Sequence, residues 1–149
     1  MLFQIRPAHE PDAASIAQFQ IDMAWETEGK RLDRLTVQAG VQAVFEDPGR
    51  GCYWVAEEQG QVIASLLITR EWSDWRNTDI WYIQSVFVCE RCRGRGCFGQ
   101  MYRAVVDRAR ALGVKVVRLY VETDNDRAQA VYQKLGMRPL PYHMYQVEL

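Results

Sequence analysis

The sequence predicts an α/β (α+β) fold. A mixed, mostly antiparallel central sheet is flanked by helices on both faces, in the order β-α-α-β-β-β-α-β-α-β. Three observations predict it. Apolar residues change period along the chain, from alternation to three- and four-residue spacing and back. Two strand-like runs meet at Gln59-Gly60, which reads as a hairpin and so as antiparallel pairing. A strand, a glycine-rich turn, a helix and a second strand follow one another from Ile80 to Val121, which implies a parallel pair with a right-handed crossover.

Each element follows from its own residues. Leu2 to Arg6 alternates as a first strand. Pro11 and Asp12 start a helix that runs to about Trp25, with Ile16, Phe19 and Met23 on one face. Leu32 to Phe45 is a second helix, with Leu35, Val37, Val41 and Val44 apolar, ended by Pro48-Gly49. Cys52 to Glu57 and Gln61 to Thr69 form the hairpin, and Ile80 to Val88 is the next strand. Phe98, Met101, Tyr102, Val105, Ala109 and Leu112 mark a third helix from about Gly96 to Leu112, capped by Gly113. Lys115 to Val121 is a strand, Asp126 to Leu135 a fourth helix stopped by Gly136, and Tyr142 to Glu148 a last strand.

Composition narrows the function. A chain of 149 residues is most simply one domain with a core of its own, and no repeat or linker suggests a boundary within 1–149. A net charge of −1 gives no basic field for nucleic acid. The N-terminal residues, with Pro7 and Pro11, read as neither export signal nor membrane span. The four cysteines, 52, 89, 92 and 97, are therefore expected to be reduced thiols in a cytoplasmic protein. Cys89-x-x-Cys92 lacks a second pair, so no metal is expected.

The stretch from Ser85 to Tyr102 carries the chemistry. A β-rich run leads into a turn of arginines and glycines that opens a helix. Glycines 94, 96 and 99 allow positive φ and close backbone approach. The amides of a helix start, with its dipole, favour a phosphate, and Arg91, Arg93 and Arg95 add charge and forked donors. A pyrophosphate is the ligand this pattern suits.

Two motifs then resemble those of the GCN5-related N-acetyltransferases, the GNAT superfamily. Arg93-Gly94-Arg95-Gly96-Cys97-Phe98 stands in the place of that family's R/Q-x-x-G-x-G/A. The last position departs from the pattern: Phe98 replaces a small residue and Gly99 follows one place later. The second motif is an asparagine at a strand exit before a helix with a tyrosine and a Leu-Gly-Phe ending. It reads Asn125 to Met137 here, with Tyr132 in place and Met137 for the final Phe. The resemblance spans essentially the whole chain.

The resemblance implies acetyl-CoA as co-substrate and a single-step transfer of its acetyl group, in a ternary complex, to a primary amine. The pantetheine arm is expected beside Val86, Phe87 and Val88, bonded as an added strand would be. The diphosphate is expected on the amides from Arg93 through Gly94, Arg95, Gly96, Cys97 and Phe98 to Gly99, with Asn125 near the pantetheine. An amide near Phe87 or Val88 polarises the thioester carbonyl, and Tyr132 gives the departing thiolate its proton. Gln84 stands where many members carry a glutamate. It can orient a water but cannot take a proton, so Glu26, Glu28 and Glu71 are the carboxylates left to act as base, with Tyr82 beside Gln84.

The acceptor side is expected to include Trp25, Glu26, Glu28, Glu71, Trp72, Trp75 and Tyr82, a set rich in aromatics and carboxylates. Such a wall suits a small cationic or amino-acid-like amine. Bland readings stand beside these: Tyr132 as a core aromatic, Asn125 as a helix cap, the arginines as a solvated turn, and Glu71 to Trp81 as a partner surface. The rival function is an acyl-CoA-binding or sensing domain without turnover, kept open by Gln84. No membrane or nucleic-acid partner is expected, and the apolar C-terminal strand leaves a homodimer open.

Overall fold

The computed structural model describes residues 3–149, so Leu2 of the expected first strand lies outside the described residues. The chain divides into two compact units, Met1–Leu119 and Tyr120–Leu149.

The first unit is built on one five-stranded sheet in sequence order. Its strands are β1 (Gln4–Pro7), β2 (Cys52–Glu58), β3 (Gln61–Ser73), β4 (Thr78–Val88) and β5 (Val117–Arg118). The first four pair antiparallel, and β4 pairs parallel with β5. Its helices are α1 (Ala13–Glu28), α2 (Arg34–Glu46) and α3 (Cys97–Ala111). Pro11 and Asp12 fall in a single 3-10 turn, and α1 proper begins one residue later. Asp33 caps α2 through the Thr36 amide, 2.9 Å away.

The alternation of β2 decides which helix packs where. Trp54 and Ala56 pair with Leu66 and Ala64, and these four join Met101, Val105 and Ala109 of α3 in one buried cluster. Tyr53 and Val55 point to the opposite face and pack with Ile16 and Ala17 of α1 and Val41 of α2. Val37 and Val44 reach that cluster too, but Leu35 is exposed, so the apolar stripe of α2 is one position narrower than its spacing predicts.

A tripod of charge fixes the first strand to this frame. Asp12 is buried and accepts both terminal nitrogens of Arg6, at 2.8 and 3.1 Å, and the His9 amide at 2.7 Å. Arg6 Nε donates to Glu57 on β2 at 2.9 Å. The guanidinium therefore holds the Asp12 carboxyl below its ordinary value.

Two expected elements differ. The strand expected at Lys115 to Val121 is only Val117–Arg118, paired with Trp81 and Tyr82. The ladder stops just before β4 bulges: Ser65 faces Phe87 and Leu67 faces Gln84, so Ser85 and Val86 together oppose Leu66. Ser85 has φ 51. A bulge bends and twists its strand, which carries the far edge of β4 away from a straight neighbour.

The second unit holds α4 (Asp126–Lys134) and a tail in which the strand expected at Tyr142 to Glu148 is not formed. Alternation alone does not make a strand, because ladder hydrogen bonds need a neighbour. Tyr142, Met144, Tyr145 and Val147 are all exposed.

Candidate active site

The bulge at Ser85 organises the centre of the first unit. It adds one residue to β4, so Gln84 and Phe87, three apart, share the face that Tyr82 also occupies. That face looks toward α1: Phe87 stacks on Phe19, ring centroids 4.9 Å apart and 24° between planes. Gln84 donates a short hydrogen bond from Nε2 to Thr69 Oγ1 across the β3–β4 ladder. Beyond Tyr82, no described strand pairs with β4 on its β5 side, so the main chain of Val86 to Val88 lies at a sheet edge.

The glycine turn follows directly. Cys89 to Cys92 forms one 3-10 turn, with the Cys92 amide on the Cys89 carbonyl at 2.8 Å. Gly94 and Gly96 have φ 75 and 79, and Gly96 is the N-cap of α3. An L side chain is strained at those angles. A Cβ built on either meets nothing within 4 Å, so the space beside the loop is open. The amides of Cys97, Phe98 and Gly99 belong to the first turn of the helix, the end where N–H groups point outward along the axis. Open space, left-handed glycines and a helix start fit a diphosphate.

The geometry also revises the motif register. Counted from Arg91, Arg91-Cys92-Arg93-Gly94-Arg95-Gly96 meets R-x-x-G-x-G in full, and its two glycines are the left-handed pair. In that register Phe98 is no exception. It packs against the α3-side cluster, 6.3 Å from Tyr102 between centroids. Gly99 sits inside the first turn of the helix, where an added Cβ would approach the Arg103 guanidinium at 3.6 Å.

The loop arginines are already engaged with the protein's own carboxylates. Arg93 Nη2 donates to Glu26 Oε2 at 2.7 Å, its Nε to the Val88 carbonyl at 2.8 Å, and its guanidinium lies 5.5 Å over the Phe87 ring. Arg95 makes a short ion pair with Glu58 and stacks 5.0 Å over Phe3. Arg91 reaches Glu58 at 3.4 Å and Gln61 at 2.9 Å. Arg95 holds the Glu58 carboxyl below its ordinary value. Sequence spacing did not show these partners, because Glu26 and Glu58 are distant along the chain.

The three thiols around the loop are free. Cys92 and Cys97 are buried, and burial pushes the Cys97 thiol up to about 11 and raises Cys89 as well. Protonated thiols are poor ligands and poor nucleophiles. Among the described residues no three His, Cys, Asp or Glu side chains are grouped to hold a metal.

The expected acceptor residues are dispersed over α1 and the β3–β4 hairpin. Trp25, Glu26 and Glu28 occupy the last turn of α1, where Arg31 stacks 5.0 Å over the Trp25 ring. Glu71, Trp72 and Trp75 are not in a loop after the hairpin: β3 and β4 run on as a long hairpin, and only 74–77 form its turn. Glu71 pairs with Arg118 at 3.7 Å, whereas Trp72 and Trp75 are 61% and 92% exposed. In the second unit, Asn125 Oδ1 accepts the Ala128 amide at 3.1 Å and so caps α4. Tyr132 lies on α4, and burial raises its phenol above the ordinary value.

The model of the acetyltransferase (GNAT) family matches residues 12–137. The chain belongs to this family. Its GNAT relatives include the mycothiol acetyltransferase of Corynebacterium aurimucosum, 30% identical over 76% of this chain. The chain spans only 38% of that relative's length. It is 27% identical to the uncharacterized N-acetyltransferase YhfO of Bacillus subtilis, over 89% of this chain and 87% of the other. Among solved structures, a possible acetyltransferase of Clostridium difficile 630 superposes with a TM-score of 0.92 at 37% identity, covering 100% of this chain and 99% of its own. A predicted acetyltransferase of Clostridium acetobutylicum, solved with acetyl-CoA, shares the fold at TM-score 0.78 and 18% identity, over 97% and 96% of the two chains. Among the described residues no helix is long and apolar enough to cross a membrane.

Proposed function

We propose that this GNAT-family chain transfers the acetyl group of acetyl-CoA directly to a primary amine of a small acceptor. The observation that carries this reading is the pair of left-handed glycines, Gly94 and Gly96, opening α3 at the end of a bulged β4. Acetyl-CoA supplies an activated thioester, and the chain's residues bind, orient and protonate.

In this reading the amides from Gly94 to Gly99 take the diphosphate, and the edge of β4 at Val86 to Val88 takes the pantetheine amides. An amide near Phe87 or Val88 polarises the carbonyl. Tyr132 donates the proton to the leaving thiolate, and the raised phenol supports the role because the group stays protonated at neutral pH. Asn125 is read as the cap that fixes the start of the same helix.

The acceptor is read as a small amine, cationic or amino-acid-like, met by aromatic faces first. Trp72 and Trp75 are open to solvent, while the ion pairs at Glu26 and Glu71 already offset those charges. That leaves Glu28 as the carboxylate assigned to the incoming ammonium, with Gln84 and Tyr82 orienting a water for its deprotonation. The exposed apolar residues of the tail, Tyr142 to Val147, support a homodimer, which sedimentation at several concentrations would reveal.

The test is thiol release from acetyl-CoA across a panel of primary amines. Release with small cationic amines is expected. Modification of neutral or anionic acceptors only would remove the acceptor class. CoA binding with no turnover on any amine would favour the sensing domain, the reading that Gln84 keeps open.

A further inference from the structure

The arginines of a phosphate loop are ordinarily read as ligands of the phosphate. Here their forks are spent elsewhere. Arg93 uses Nη2 on Glu26 at 2.7 Å, Nε on the Val88 carbonyl at 2.8 Å, and its face on Phe87. Phe87 in turn lies on Phe19. Phe19 and Glu26 are seven residues apart on α1, two turns along one face, so both ends of the contact belong to the same helical stripe. The loop, the end of β4 and the last turns of α1 therefore meet at one guanidinium.

Arg91 and Arg95 do the same work on the other side, on Glu58 and Gln61, which flank the β2–β3 turn. Three arginines against Glu26 and Glu58 leave one net positive charge among these five side chains (+3 − 2 = +1). The main-chain amides at the start of α3 are the donors this reading assigns to the ligand.

We propose that Glu26 is a positioning residue for the cofactor loop: it holds Arg93 as a strut that fixes the Gly94–Gly96 turn against α1, and it is not the general base. This rests on the reading that the loop takes the diphosphate of acetyl-CoA. Arg93 stays on Glu26 when the ligand arrives, and the amides do the gripping. Because α1 also carries Trp25 and Glu28 in its last turn, the strut joins the cofactor loop to the helix assigned to the acceptor.

The sign of one measurement decides between strut and cage. Calorimetric titration of CoA into Glu26→Gln should show affinity about fivefold weaker, the scale of one partly exposed ion pair. If Glu26 merely caged a phosphate-binding arginine, releasing it would tighten CoA instead. Steady-state rates give a second readout: KM for acetyl-CoA rises while kcat stays within about twofold, whereas loss of a general base lowers kcat by a hundredfold or so. The charge exchange Glu26→Arg with Arg93→Glu should recover the part of the CoA affinity that the ion pair carries, compared with Glu26→Arg alone, and thermal melting checks that each variant is folded. Tighter or unchanged CoA binding in folded Glu26→Gln, or a kcat collapse at constant KM, overturns the proposal. Failure of the wild-type protein to bind CoA at all would instead sink the acetyl-CoA reading itself.

Discussion

Phe19 of α1 stacks on Phe87 of β4 at 4.9 Å, and the contact exists because Ser85 and Val86 bulge. Without the extra residue, Phe87 would face α3 and Val86 would face α1. The one-residue slip sets which side chains line the helix-facing side of the site.

Both rings are buried, so truncating one should leave a cavity. Phe19→Ala is expected to destabilise the fold by about 3 to 4 kcal/mol, and Phe19→Leu by about 1 to 2. Urea titration would measure both. The Leu variant should also weaken CoA, since Phe87, on which Arg93 lies, loses the ring that backs it.

Tyr132→Phe should lower kcat by about a hundredfold and leave KM for acetyl-CoA nearly unchanged, as expected for a proton donor used only in the chemical step. The phenol is raised by burial, so its deprotonated form appears only above its ordinary value of about 10. The rate should therefore show no Tyr132-dependent fall on the alkaline side until beyond that pH. An alkaline limb near neutrality that disappears in Tyr132→Phe would contradict the assignment.

Gly96→Ala tests the loop. The added methyl meets no atom, so any cost comes from φ 79 and should be about 1 to 2 kcal/mol of stability. CoA affinity should fall by about tenfold or more, because relieving the strain turns the first amides of α3 away from the ligand. Equal affinity in Gly96→Ala would remove the loop from the cofactor site.

Asp12 should govern stability in acid. Its folded value is held below the unfolded one, chiefly by its hydrogen bonds from Arg6. Its contribution is therefore complete above about pH 4 and is lost as pH falls through the folded value. Asp12→Asn should cost about 2 to 3 kcal/mol at pH 7, shrinking as the pH drops below 4. Melting curves from pH 7 to pH 2 would reveal a constant gap if the pair were irrelevant.

Trp75 lies at the hairpin tip and is 92% exposed. Trp75→Ala should leave the stability unchanged within about 0.5 kcal/mol yet raise the acceptor KM severalfold. Unchanged kinetics on every amine turned over would place the acceptor away from this hairpin.

Read along the chain, the sequence determines the elements whose cause is local. The periods of α1 and α3, the hairpin at Gln59-Gly60 and the turn at Gly94 and Gly96 were all legible, because side-chain spacing and backbone freedom are properties of neighbouring residues. What only tertiary structure decided were the relations between distant residues. Glu26 looked like a base and is bound to Arg93. Glu71 looked like a substrate carboxylate and is bound to Arg118, and the tail that alternates like a strand forms none. Ion pairs and ladders depend on which groups the fold brings within about 3 to 4 Å, and no spacing along one segment encodes its partner on another.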